Sequence, residues 1–109
     1  IRTCEPLGYL DTLKLAGNAR ALLTDSGGLQ EEAAALSTPA LILRNETEWR
    51  YLIDAGVHML IGNTYDSIID GARDWLGPEG LAQLQAVQAL LWPGAGERAC
   101  AAMAAFLET

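Results

Sequence analysis

Thr24-Asp25-Ser26-Gly27-Gly28-Leu29-Gln30-Glu31-Glu32 decides the fold. Ahead of it, Ala21-Leu22-Leu23 reads as a short buried strand, predicted over 21–25. Behind it, Leu29, Ala33 and Leu36 fall at i, i+4 and i+7, one stripe of a helix predicted over 28–37. A small polar residue and two glycines therefore stand where a strand turns into a helix. Glycine lets the chain turn tightly and lets another molecule approach the backbone. The first amides of a helix lack internal partners, and the helix dipole adds positive potential there, a combination that binds phosphate. Glu32 follows about one helical turn later, where a carboxylate can accept from vicinal hydroxyls such as those of a ribose. These residue types suggest a site for a nucleotide diphosphate. The same residues also fit a plain strand-to-helix turn capped by Ser26.

Outward from this stretch, strands and helices alternate. Residues 1–4 read as the end of a strand, and Leu10, Leu13 and Gly17 share a face of a helix over 8–18. Pro39 opens Ala40-Leu41-Ile42-Leu43, an apolar run suited to a strand buried on both faces of a parallel sheet. A short helix over 49–55 ends at Gly56, and His58-Met59-Leu60-Ile61 is a further strand. Three helical stripes follow: Ile68, Ala72, Trp75 and Leu76; Leu81, Leu84, Val87 and Leu91; and Cys100, Met103 and Leu107. Alternation of this kind predicts an α/β fold, a partial Rossmann-like αβα sandwich of about four parallel strands with a helical tail. Trp75, Leu84 and Met103 are expected in the core, Tyr9 is expected to pack rather than to line a pocket for a nucleotide's base, and His58 is expected to be structural.

The chain has 109 residues, half of them hydrophobic, and a net charge of −7. That composition suits one globular domain. The acidic balance and scattered cations argue against nucleic-acid binding, and no apolar run approaches the ~18 residues of a membrane span. Cys4 and Cys100 are expected to be free, buried thiols in a reducing cytosol. One histidine and two isolated cysteines make no zinc pattern. The absence of an initiator Met and the immediate start in a strand suggest a truncated piece of a longer protein. Asp25-Ser26-Gly27-Gly28 could also suggest a serine nucleophile. Its general base would have to be His58, the only histidine, placed in an apolar strand of an α/β pattern, and that reading is rejected. Glu31 and Glu32 point about 100° apart on a helix, so one is expected to face a ligand and the other solvent or a cation.

Glu5-Pro6-Leu7-Gly8-Tyr9-Leu10-Asp11, the 25–32 run and Leu43-Arg44-Asn45-Glu46-Thr47-Glu48 resemble, in order and spacing, the C-terminal domain of non-hydrolysing UDP-N-acetylglucosamine 2-epimerases. Segment 56–62 resembles that family's "AG…LVG" strand, and Pro93-Gly94-Ala95-Gly96 its "YGDG" turn, without the aspartate. The resemblance covers nearly the whole chain. It implies the later part of the second Rossmann-like domain of a two-domain GT-B protein, with residues 1–109 as a UDP-binding domain truncated at its N-terminal side. It implies that Ser26 and Gly28 contact the UDP phosphates, with Gly27 between them, and that Glu32 binds the ribose. In the family's Thr-Glu-Arg-Pro-Glu loop the first Glu lies near the substrate and the Arg contacts the nucleotide. Here Thr47 and Glu48 match, Trp49 and Arg50 replace Arg-Pro, and Arg44 or Arg50 is a candidate for the missing contact, or Trp49 for stacking on a ring. The implied activity is interconversion of UDP-GlcNAc and UDP-ManNAc by elimination and re-addition of UDP, in a cytoplasmic, homodimeric enzyme of cell-surface polysaccharide synthesis. Its acid and base groups lie outside this chain, and no metal or other cofactor is implied. A GT-B glycosyltransferase and a non-catalytic nucleotide-binding fragment are the alternatives.

Overall fold

A computed structural model describes residues 1–91 and 95–108. The elements are α1 (Tyr9–Gly17), β1 (Leu22–Thr24), α2 (Gly27–Ala35), β2 (Ala40–Ile42), α3 (Arg50–Asp54), β3 (His58–Leu60), α4 (Tyr65–Trp75), α5 (Pro78–Leu91) and α6 (Ala95–Glu108). Among the described residues the sheet has three parallel strands in the order β1-β2-β3. Leu22 lies beside Ala40, and Ala40 beside His58.

Alternate residues of each strand feed two cores, as a pleated strand requires. On one face Ala40 and Ile42 meet Ala33 of α2, with Leu22, Leu60 and Ile53 of α3 around them. On the other face Leu41 meets Ile61 and Leu84 of α5, bordered by Leu43, Met59 and Trp75 of α4. Ala40, Leu41 and Ile42 have no exposed surface, the burial expected of a central parallel strand. Helices thus cover both faces of the sheet, in the αβα order the alternation predicted.

Polar detail fixes the helix ends. Thr64 and Ser67 cap the start of α4 reciprocally, each side chain taking the other's amide, at 3.2 and 3.1 Å. Gly56 ends α3 at φ +80°, a left-handed conformation that favours glycine. Gly71 lets α4 lie directly on Ile61, whose Cβ is 2.7 Å from where a Cβ on Gly71 would stand.

His58 is buried and structural, as expected. The Ala40 amide donates to its Nδ1 at 3.0 Å, so Nε2 carries the proton and donates to the Gln30 carbonyl at 2.7 Å. One ring therefore joins β2, β3 and α2. Burial pushes its pKa below the ordinary histidine value, and backbone contacts to Gln30 and Val57 oppose this in part.

Several expectations are corrected. Residues 1–4 form no strand and are exposed, so among the described residues the sheet has three strands where about four were expected. A strand needs a neighbouring strand to pair with, and among the described residues none pairs with this segment. Cys4 and Cys100 are free but exposed. Met103 is 41% exposed and Leu107 79%: α6 lies against α2 at the periphery, so its stripe is helical without being core. On α1, Leu10 points outward and Ala16 is the buried residue, its carbonyl accepting from Thr38 Oγ1 at 2.9 Å. Pro93 and Gly94 of the proposed turn lie outside the described residues.

Candidate functional site

β1 ends at Thr24, and two residues later the chain enters α2. Ser26 is the N-cap: its backbone is extended, its amide donates to Thr24 Oγ1 at 3.0 Å, and its Oγ accepts from the Leu29 amide at 3.3 Å. Ser26 Oγ takes the third amide of the helix, which leaves those of Gly27 and Gly28 for a ligand. The Ser26 hydroxyl hydrogen also remains able to donate. Gly28 is exposed, and a Cβ there would meet nothing within 4 Å. Open space stands directly over its backbone.

The loop after β2 comes to the same place, at the carboxyl edge of the sheet where open α/β folds hold their ligands. A Cβ on Gly27 would collide with the Glu48 carboxylate, so only glycine lets this side chain lie across the start of α2. The other Glu48 oxygen accepts from Arg44 Nη1 at 3.1 Å, the two side chains being 52% and 39% exposed. An acidic group therefore rests at the positive end of the helix, where the dipole favours it. Arg50 pairs instead with Asp54 at 3.4 Å and Glu46 at 4.0 Å. Of the two candidate arginines, Arg44 is the one joined to the helix end.

Beneath the surface the loop is anchored to α2. Thr47 Oγ1 donates to Gln30 Oε1 at 2.7 Å and accepts from the Trp49 amide at 3.1 Å. Gln30 is fully buried, and its carbonyl is the one His58 holds. Two donor atoms in this region are buried without a hydrogen-bond partner among the described residues: Gln30 Nε2 and Trp49 Nε1.

Glu31 and Glu32 diverge, as their spacing predicted. Glu31 accepts from the Tyr51 hydroxyl of α3 at 3.5 Å, and burial followed by the charge of Glu31 raises the Tyr51 pKa. The Tyr9 hydroxyl of α1 faces Glu32, and hydrogen bonding to that carboxylate, with its charge, raises the Tyr9 pKa above the ordinary phenol value. Tyr9 is 62% exposed and does not fill a core, contrary to expectation. It touches a candidate ligand residue instead.

The structure thus brings Ser26, Gly27, Gly28, Arg44 and Glu48 together, with Glu32 one turn further along α2. Sequence reasoning missed the Tyr9–Glu32 bond, the Thr47–Gln30 anchor and the buried indole N–H. The pairing of Thr47 with Gln30 had no local signal, because it joins two elements 17 residues apart and both residues stand beside glutamates.

Comparison with known proteins supplies the relations of this arrangement. The sequence profile described as UDP-N-acetylglucosamine 2-epimerase matches residues 1–104. The chain is 39% identical over 87 residues, 73% of its length, to a UDP-N-acetylglucosamine 2-epimerase of Methanocaldococcus jannaschii. It is 38% identical over 77 residues, 71% of its length, to a UDP-2,3-diacetamido-2,3-dideoxy-D-glucuronate 2-epimerase of Pseudomonas aeruginosa. The chain spans about a quarter of these relatives' own length, 24% and 22%. Among solved structures, the UDP-GlcNAc 2-epimerase of Neisseria meningitidis bound to UDP-GlcNAc superposes with a TM-score of 0.71 at 30% identity, over 97% of this chain and 29% of that one. The S. aureus MnaA-UDP co-structure gives 0.70 at 31% identity, over 95% and 29%.

Proposed function

The chain belongs to the UDP-N-acetylglucosamine 2-epimerase family, and from that premise we propose that residues 1–109 form the UDP-binding part of a two-domain enzyme that interconverts UDP-GlcNAc and UDP-ManNAc. The observation that carries this reading is the strand-to-helix turn at Ser26-Gly27-Gly28, with free space over Gly28 and the helix amides behind it. In this reading the diphosphate lies on the start of α2, Ser26 and Gly28 contact its oxygens, and Glu32, held by Tyr9, accepts from the ribose hydroxyls. Glu48 cannot stay at the helix end beside a diphosphate, because like charges at that distance repel. It swings outward and accepts from a sugar hydroxyl, and Arg44, released from the pair, turns to the phosphates.

The two curated relatives carry different sugars, but both names describe a UDP-linked sugar inverted at C2. That shared chemistry supports assigning the nucleotide, rather than the rest of the sugar, to this part of the protein. As the anomeric bond breaks, negative charge builds on the departing UDP. Helix amides already aimed at the diphosphate stabilise that charge without reorganisation. The acid and base groups for C2 come from outside residues 1–109.

Titration calorimetry with UDP tests the site. Gly28→Val places a branched side chain in the open space over the backbone, at an exposed position away from both cores. UDP affinity is expected to fall at least about tenfold, equivalent to 1.4 kcal/mol. Equal affinity in the two proteins would remove the turn from the binding site.

A further inference from the structure

We infer that Trp49 determines specificity in this site by donating its indole N–H to a phosphate oxygen of the bound nucleoside diphosphate. The inference rests on the nucleotide reading above and adds a residue to it. Trp49 Nε1 is buried and has no hydrogen-bond partner among the described residues. It lies 3.7 Å from where a Cβ on Gly27 would stand, in the same space that the Glu48 carboxylate enters. An indole N–H only donates. Its missing partner is therefore an acceptor, and this one faces the part of the site where an anion would rest. Orphaned buried donors are rare in folded proteins and call for a specific reason. A ligand oxygen supplies one.

The ring is held in place for this role. The Trp49 amide is tied to Thr47 Oγ1, which is tied in turn to buried Gln30. The Tyr51 ring meets the indole edge-on, with centroids 6.5 Å apart and planes at 84°. The orphaned Nε2 of fully buried Gln30 lies on the same anchor. In the ligand-free arrangement Glu48 lies beside the indole but gives its hydrogen bond to Arg44. When a diphosphate takes the helix end, Glu48 leaves, and a phosphate oxygen becomes the acceptor next to Nε1. A neutral donor in that position favours a phosphate oxygen through direction rather than through charge.

The test uses nitrogen-15 NMR of the indole N–H signals, with uridine as the control ligand. The chain has three tryptophans, and Trp49→Phe assigns the relevant signal by its loss. On addition of UDP the Trp49 signal is expected to move downfield. Uridine, which has no phosphate, is expected to leave it in place. Trp49→Phe keeps an aromatic ring but no donor. It is expected to lose about tenfold in UDP affinity while binding uridine as tightly as before. A packing role alone would weaken both ligands together. UDP binding that leaves the indole signal unmoved would overturn the role of Trp49 and leave the nucleotide site standing. Absence of UDP binding at millimolar concentration would overturn both.

Discussion

Tyr9 and Glu32 come from separate helices and meet at an exposed position, so their bond contributes little to folding. Its effect is to aim a carboxylate. An aimed acceptor that expects two hydroxyls loses its advantage when they are missing, by roughly 0.5–1.5 kcal/mol per lost hydrogen bond. Wild-type protein is therefore expected to prefer UDP over its 2′,3′-dideoxy analogue. Glu32→Ala should erase that preference, and Tyr9→Phe should reduce it. A preference that survives Glu32→Ala would exclude Glu32 as the ribose ligand. The phenol gives an independent reading. Because the Glu32 hydrogen bond and charge raise the Tyr9 pKa, Glu32→Gln should return it toward the ordinary phenol value of about 10, followed by phenolate absorbance.

At the scale of elements, α4 shows how closely the layers fit. A helix interior ordinarily gains about 1 kcal/mol when glycine becomes alanine. At Gly71 the new methyl would press on Ile61 Cβ and Cγ2, each 2.7 Å away and part of the core under the sheet. Overpacking of that kind costs about 1–3 kcal/mol, so Gly71→Ala is expected to lower the urea midpoint; an unchanged or raised midpoint would mean that α4 can lift off the sheet freely. The same elements show what the sequence could reveal. The strand-helix order was legible because apolar period and glycine or proline breaks are local, as at Ala40-Leu41-Ile42 and Gly56. The capped turn at Ser26 was legible for the same reason. Residues 1–4 were misread because strand character depends on a neighbour the period cannot report. Met103 was misread because a stripe defines a helix face without saying what covers it. The particular contacts of Tyr9 and Trp49 were obscure because they form across α1, α2 and the loop after β2.

Across the whole molecule, the His58 ring is the point where sheet and site helix share one proton. Its folded pKa lies below the ordinary value of about 6.5. Above that value both folded and unfolded chains carry it neutral, and its contribution to stability is complete. As pH falls below it, the unfolded chain takes up a proton that the folded chain resists, and stability declines until the folded pKa is passed. His58 is the only histidine, so the decline between about pH 6.5 and pH 5, above the ordinary carboxylate range, belongs to this ring. Urea midpoints across that window should fall with acid, and a flat profile would contradict the depressed pKa. Protons and nucleotide then become rivals: the one favours the open chain, the other the closed one. UDP at a hundred times its Kd adds about 2.7 kcal/mol to the folded state. It should therefore move the acid transition seen by circular dichroism to lower pH, so that a saturated protein tolerates acidity that unfolds an empty one.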